Sequence, residues 1–504
     1  MNDEQFRRLA AYGQAEHAVP GRDLFTTGDR SYDLFLLETA AVEIVRDQRV
    51  IFRAGPGDFL GELGLLTGQH VYLTGRVISA GTVIRLGAAN LRRALAEHAD
   101  LADLLIEAFR QRREVIRTTA GTALRLVGRP DTALALRTYL AQLLLPHAWQ
   151  ETYPGLTPDD LPAAVIDRTV LRRATPGAVA EALGLTYRPD DREVDLVVVG
   201  AGPAGLAAAV YAASEGLSTV LLDRGGIGGQ AAKTARIENH LGFSHGISGD
   251  ELTRLAMLRA LKFNVRIHSP CTATALDLTD PHRPTVQLDG GARIRCRAVI
   301  AATGANYRRL DIPGWAAFER AGCIRYAATE PDVRDYANQP VTVLGGANSA
   351  GQAALSLAAH NATVDLIVRG TRVGARMSTY LVDRIRAHPL IRLHLGSTVD
   401  ALIGGDTLSG VVMSRAETLD SRALFCFIGA TPETSWLTGV ATDDNGFLRT
   451  PGPLPFQTST PRVFAVGDLR AGSTKRVATA VGDGAGAVSS VHTALAARLP
   501  TPAT

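Results

Sequence analysis

Cysteine is scarce and scattered. The chain of 504 residues has four, Cys271, Cys296, Cys323 and Cys426, far apart and with no Cys-x-x-Cys pair. That spacing argues against a disulfide scaffold or a structural zinc site and leaves small buried hydrophobes as the expected use. Charge of one sign is equally lacking: 53 basic and 50 acidic residues leave a net +3, with no dense Lys/Arg block. Nothing there calls for nucleic acid or an anionic membrane as a partner. No run reaches the roughly 18 consecutive apolar residues that a membrane-spanning helix needs. The opening Met1-Asn2-Asp3-Glu4 is acidic with no apolar run behind it, which argues against a secretory signal. The expected location is the cytoplasm.

What is present is an ordinary globular balance, 46% hydrophobic and 20% charged, in a chain too long for one core. Several domains are expected. The 50 glycines depart from average usage, and their positions decide whether they serve nucleotide loops or common turns.

Residues 1–19 read as a short helix ending before Pro20-Gly21. Short β-like runs follow at Leu34–Leu37, Val42–Val45, Val50–Phe52, Val71–Leu73 and Val83–Arg85, separated by turn groups such as Thr27-Gly28-Asp29. Many short strands at this spacing suggest an antiparallel barrel or sandwich. Residues 89–118 return to helical periodicity. A second small unit, about 121–187, reads as strand 123–127, helix 132–145, strand 147–150, strand 163–166, strand 170–173 and helix 177–183. Asp190-Asp191-Arg192-Glu193 is a polar junction, and beyond it the pattern is that of an α/β protein.

The strongest signal lies there. Val194–Val199 is a nearly continuous apolar strand that runs into Gly200-Ala201-Gly202-Pro203-Ala204-Gly205 and a helix-like segment. Gly200 permits the tight turn, Gly202 lets backbone approach a diphosphate, and Gly205 allows close packing of helix on strand. Pro203 and Ala204 lie within this loop, and the free amides and dipole of the helix that follows attract the phosphates. Asp223 ends the next strand and is placed to accept hydrogen bonds from an adenosine ribose. A weaker copy recurs at Val341–Leu344 followed by Gly345-Gly346-Ala347-Asn348-Ser349-Ala350. Ala347 narrows the approach to a diphosphate, and an ordinary α/β turn competes with nucleotide binding for this segment. Val463–Val466 then leads to Gly467-Asp468 and a small-residue helix, which can place a carboxylate on a ribityl or ribose hydroxyl. A return strand with a surface Asp is the bland alternative.

These segments resemble the low-molecular-weight thioredoxin reductase family. Gly200–Gly205 resembles its FAD loop, and Gly228-Gly229-Gln230 with Ile237-Glu238-Asn239 resembles the stretch along the flavin. Ala302-Thr303-Gly304 resembles the crossover to the second lobe, Gly345–Ala350 the NAD(P) loop, and Gly467-Asp468 with Arg476-Val477 the C-terminal flavin motif. The resemblance covers roughly 193–498. It implies two Rossmann-like lobes: an FAD-binding domain from 193–307 and 420–498, and an inserted NAD(P)-binding domain from 308–419. It also implies a homodimer in which one lobe rotates against the other.

The departures matter as much. Where the family carries its Cys-x-x-Cys, this chain reads Tyr326-Ala327-Ala328-Thr329-Glu330-Pro331, so Ala327 and Glu330 occupy the cysteine positions. Neither supplies a thiolate for exchange. Glu330 is a proton-transfer candidate, with a solvated surface acid as the competing reading. After the second-lobe strand, Arg369 remains and Arg372 is near, but Val373-Gly374 replaces an aromatic and an arginine. One certain arginine is a poor clamp for a 2′-phosphate, which favours NADH with NADPH close behind.

The N-terminal region, 1–119, resembles a cyclic-nucleotide-binding domain through Gly28-Asp29, Phe59-Leu60-Gly61-Glu62 and Leu65-Leu66. Gln69–Leu73 lacks the arginine that would neutralise a cyclic phosphate, and Arg76 comes late, so cyclic nucleotide is not the expected ligand. Residues 120–192 resemble a thioredoxin-like unit, with Leu161-Pro162-Ala163 at its cis-proline position and no cysteine near Gly128–Asp131. The expected activity is hydride transfer from NADH or NADPH to FAD and then to an unidentified, possibly protein, acceptor. A regulatory protein that senses flavin or pyridine nucleotide is the alternative, and a structural protein keeping a vestigial fold is a further one.

Overall fold

The computed structural model describes the chain except residues 30–32, 47–48, 62–70, 72, 119–123, 130–132, 144, 146, 167–168, 189–192, 235–236, 238–239, 329, 415–416 and 497–504. At 113–118, 134–135, 330–332 and 375 it describes backbone alone. Two compact units result, Met1–Gly304 with Pro432–Thr504, and Ala305–Thr431.

In the first unit the chain opens with two four-stranded antiparallel sheets. One orders Gln14–Ala18, Gly81–Leu86, Leu34–Leu37 and Phe59–Leu60; the other orders Asp23–Phe25, Thr74–Ser79, Ala41–Arg46 and Arg49–Ala54. Phe35 and Leu37 from one sheet and Val42, Ile44 and Val77 from the other share a single core. The helix expected over 1–19 is real only at Asp3–Ala10, where Asn2 closes a capping box with Gln5. Gln14–Ala18 is instead a strand paired with Gly81–Leu86. Gly13 explains the break, because a Cβ there would lie 2.5 Å from Ile84 Cγ2. The strand expected at Val71–Leu73 is displaced to Thr74–Ser79. Val71 is bonded instead to the preceding turn, accepting from Gly28 N at 2.7 Å and donating to Asp29 O at 2.9 Å. Of the motif residues assigned to this domain, Glu62, Leu65, Leu66, Gln69 and His70 lie outside the described residues.

A small α/β segment follows, with strands in the order Ala148–Gln150, Leu124–Val127, Ala163–Ile166 and Thr169–Leu171. The first pair is parallel and the others antiparallel. Helices Leu134–Gln142 and Pro176–Leu183 complete it, and the Leu161–Pro162 peptide is cis.

Val194–Val199 then enters a parallel sheet between Thr219–Leu222 and Arg293–Ala301, with Arg266–His268 and Val463–Ala465 on the flanks. An antiparallel hairpin, Ala273–Asp277 with Thr285–Leu288, extends the sheet. Both faces of the parallel part are covered, which is why Val194–Val199 reads as a run rather than an alternation. Helices Pro203–Ser214 and Val477–Ala496 pack closely because Gly484 offers no side chain; a Cβ there would sit 2.1 Å from Ala204 O.

The second unit is built on a parallel sheet in the order Ile324–Arg325, Leu424–Cys426, Pro340–Leu344, Thr363–Val368 and Ile391–Leu395. Leu424–Cys426, which the sequence boundary at 420 gave to the first lobe, pairs with Pro340–Leu344 and completes this sheet. A three-stranded antiparallel sheet, Val399–Gly404, Leu408–Met413 and Thr418–Asp420, packs beside it. Among the described residues, no helix is long and apolar enough to cross a membrane.

Candidate functional site

The first glycine loop is shaped by what cannot fit. Gly200 has φ +106°, and a Cβ on it would fall 2.4 Å from Ala302 O. On Gly205 a Cβ would lie 1.8 Å from Gly200 O, so the helix lies against the turn only because Gly205 has no side chain. Gly202 differs: a Cβ there meets nothing within 4 Å. It is also the N-cap of Pro203–Ser214 and gives that helix no side-chain cap, with Pro203 in the first turn. An uncapped helix start facing open space fits a bound diphosphate.

Asp223 ties its own loop together. Its carboxylate accepts from Ala201 N at 2.8 Å, Gly225 N at 2.9 Å and Gly226 N at 2.8 Å. Three of its roughly four acceptor positions hold its own loop together, leaving room for one further donor. The Gly228-Gly229-Gln230 turn lies over the glycine loop: Gly228 N donates to Ala201 O at 2.8 Å, and a Cβ on Gly229 (φ +56°) would be 3.0 Å from Gly202 Cα. Gln230 is exposed, and Asn239 lies outside the described residues. Thr303 Oγ1 donates to Glu433 O at 2.6 Å, while Gly304 takes φ +68° and accepts from Glu433 N at 3.1 Å.

Gly467 (φ +68°) comes against Ala204, a Cβ on it falling 2.9 Å from Ala204 Cβ, which brings Asp468 to the same helix start. Asp468 is half-buried, its carboxylate has no hydrogen-bond partner among the described residues, and burial pushes its pKa up. A desolvated acceptor without a donor suits a ligand hydroxyl. The cation beside it is Lys475, half-buried and depressed by burial, whose Nζ donates to Asp468 O at 2.8 Å. Arg476 is exposed, and Val477 begins the following helix.

Sequence reasoning passed over Lys475, Arg470 and Asp483. The last was legible as the one acid in a helix rich in alanine, glycine and valine. Buried Asp483 accepts from Gly467 N at 3.1 Å and pairs with Arg470 at 3.1 Å. Asp483→Ala would leave a half-buried guanidinium and a buried amide unpaired, and is expected to cost about 3 kcal/mol. Urea unfolding of the flavin-free protein measures this, and Asp483→Asn should recover part of it.

In the second unit Gly345 takes φ +148°, a Cβ falling 2.6 Å from Phe427 O, and Gly346 packs under Val368. Ala347 is the N-cap of the Asn348–Ala359 helix and gives it no side-chain cap. Asn348 Oδ1 accepts from Ser378 N at 2.8 Å, Ser349 is exposed and Ala350 is buried. Arg369 and Arg372 are both exposed in the turn after Thr363–Val368. Ala347 is bridged to Arg376, a third exposed arginine that the sequence reading did not name. Ala327 is exposed and Glu330 opens the short helix Glu330–Asp335. Cys323 is buried among Trp315, Phe318 and Ile324, and its Sγ accepts from Leu408 N at 3.4 Å. All four cysteines are free and buried.

Residues 194–484 match the family model described as pyridine nucleotide-disulphide oxidoreductase. The chain belongs to that family. Residues 15–98 match the cyclic nucleotide-binding domain model. Thioredoxin reductase of Treponema pallidum is 32% identical over 300 residues, covering 58% of this chain and 95% of that protein. The Ureaplasma parvum enzyme of the same name is 34% identical, over 58% and 93%. A solved thioredoxin reductase from Streptococcus pyogenes superposes with a TM-score of 0.54 at 31% identity, covering 60% of this chain and 98% of that one. The protein is thus a thioredoxin-reductase-like oxidoreductase dependent on FAD and NAD(P), fused to a cyclic-nucleotide-binding-like region and lacking the Cys-x-x-Cys pair.

Proposed function

We propose that this enzyme takes hydride from NADH or NADPH on its FAD and passes the electrons to an acceptor that reaches the flavin without a dithiol relay in this chain. The observation that carries this is the pairing of an intact flavin-lobe loop, open at Gly202, with Ala327 and Glu330 where thiols would be required. Bound FAD would supply the two-electron acceptor chemistry. The chain's own part is positional. Amides at the start of Pro203–Ser214 hold the diphosphate, Asp468 takes a ribityl hydroxyl, and Gly345–Ala350 receives the pyridine nucleotide. Gly229 and Gln230 would line the flavin, as the family resemblance also assigns Asn239, with Thr303 and Gly304 at the crossover. Arg369 and Arg372 supply the charge near the second ribose, and their exposure, with Val373-Gly374 where an aromatic and an arginine would be expected, supports a preference for NADH. Glu330 is the proposed proton-transfer group. A cytoplasmic homodimer is the assembly this reading favours.

The strand order of the small α/β segment, one parallel pair followed by two antiparallel partners, supports a thioredoxin-like fold without redox cysteines. For the N-terminal sheets we propose a structural or protein-contact role. Arg76, the nearest arginine after the expected phosphate position, is committed to Asp23 at 2.9 Å. Calorimetric titration with cyclic AMP or cyclic GMP is expected to show no saturable heat, and micromolar binding would overturn this. The central test of the enzymatic reading is anaerobic stopped-flow mixing with NADH and NADPH. Loss of flavin absorbance supports it; an unreduced flavin with both cofactors would favour a sensor.

A further inference from the structure

Among the described residues, the small α/β segment meets the flavin lobe around the turn that carries Asp223. The contact has two arms. One is Gln142, at the end of Leu134–Gln142, whose Oε1 comes so close to Gly226 that a Cβ built on Gly226 would lie 2.0 Å away. Gly226 N is one of the three amides bonded to the Asp223 carboxylate. Leu143, the next residue, packs against the cores of both the small segment and the flavin lobe.

The other arm reaches the backbone beside Asp223. Buried Tyr139 donates its hydroxyl to Ser269 O at 2.7 Å. His268 Nδ1 is 3.3 Å from Leu185 O, and the His268 ring meets Tyr187 edge-on at 5.2 Å. His268–Cys271 is in turn tied to the acid on both sides: Asp223 N donates to His268 O at 3.0 Å, and Cys271 N donates to Asp223 O at 2.6 Å. The Asp223–Gly226 turn is therefore held between Gln142 and a segment that Tyr139, Leu185 and Tyr187 secure.

We propose that the small α/β segment is a built-in brace for the adenosine end of the FAD site, with Gln142 as its positioning residue, so that FAD binding and docking of this segment are linked. The inference rests on the reading that the Asp223 turn receives the adenosine ribose. Gln142 acts as a steric stop: with it in place Asp223 keeps its three amide bonds, and without it Gly226 is free to move away. Linkage is reciprocal, so whatever docking contributes to FAD affinity, FAD returns to docking.

The test uses full-length protein stripped of flavin and titrated with FAD. Gln142→Ala is expected to raise the FAD Kd about tenfold. Gln142→Met, similar in length but without the amide, should bind close to wild type. Gly226→Ala should weaken FAD binding alone but add little in the Gln142→Ala background, since the side chain it collides with is gone. In the wild type, FAD should slow amide hydrogen exchange within Leu134–Gln142. A Kd for Gln142→Ala within twofold of wild type, Gln142→Met as weak as Gln142→Ala, or unchanged exchange on FAD addition would each overturn the brace. Gly202→Val separates this from the underlying assignment. Retained FAD there defeats the site itself, whereas loss of FAD there with normal binding in Gln142→Ala defeats only the brace.

Discussion

Replacing Gly202 with valine is expected to give a folded but colourless protein. The two halves of that result come from different observations. Gly202 has φ −74° and ψ −177°, a conformation any residue adopts, and a Cβ on it meets nothing within 4 Å. A valine there costs the apoprotein little. The same open space is where a dinucleotide diphosphate must come against the first amides of Pro203–Ser214, and a branched side chain fills it. FAD content should fall from about one per chain to less than about a tenth, while the far-UV spectrum stays that of the flavin-free wild type. Gly205→Ala is the contrasting control. Its methyl would overlap Gly200 O, so strand and helix must separate, at about 3 kcal/mol or more. Loss of flavin there would come with loss of structure. A yellow Gly202→Val protein would remove the glycine loop from the FAD site.

That contrast also marks how far the sequence could be read. Val194–Val199 and Gly200–Gly205 were legible because a strand buried on both faces must be continuously apolar and a diphosphate turn must be glycine. The strand Gln14–Ala18 was not. Of its five residues only Ala18 is buried, so it carries no alternation for a pattern to detect. Thr74–Ser79 was read three residues early, because Val71 and Leu73 are core residues just before the strand, and apolarity alone does not separate buried non-strand residues from a strand. Asp223 was found, but its carboxylate is spent largely on backbone amides, which no spacing rule reveals. Lys475 was hidden by its neighbour Arg476. Adjacent basic residues look alike in sequence, and only burial shows that the lysine stands beside Asp468 while the arginine faces water. The grip of Gln142 on Gly226 joins residues far apart in the chain and has no local signature.

NADH should reduce the bound flavin anaerobically, yet the enzyme should not reduce thioredoxin at a useful rate. Hydride transfer needs two positioned rings, and the chain has both nucleotide loops to hold them. Reduction of a protein disulfide needs a thiolate that attacks, a mixed disulfide that forms and a second thiol that releases it. Ala327 and Glu330 provide neither thiol. Cys323 is the nearest substitute in sequence, and its surroundings argue against it. The side chain is packed among Trp315, Phe318 and Ile324, its sulfur accepts a hydrogen bond from Leu408 N, and among the described residues no Lys, Arg or His is hydrogen-bonded to it. NADH-dependent thioredoxin reduction, followed by coupled insulin reduction, should therefore be negligible in the wild type and unchanged in Cys323→Ser. Stopped-flow bleaching of the flavin should be the same in both. Robust turnover in the wild type would overturn the prediction, and its loss in Cys323→Ser would assign the missing thiol. Bleaching without turnover points to an acceptor other than thioredoxin. A screen of quinones, ferricyanide and protein disulfides against the reduced enzyme then identifies its class by which one restores flavin absorbance fastest.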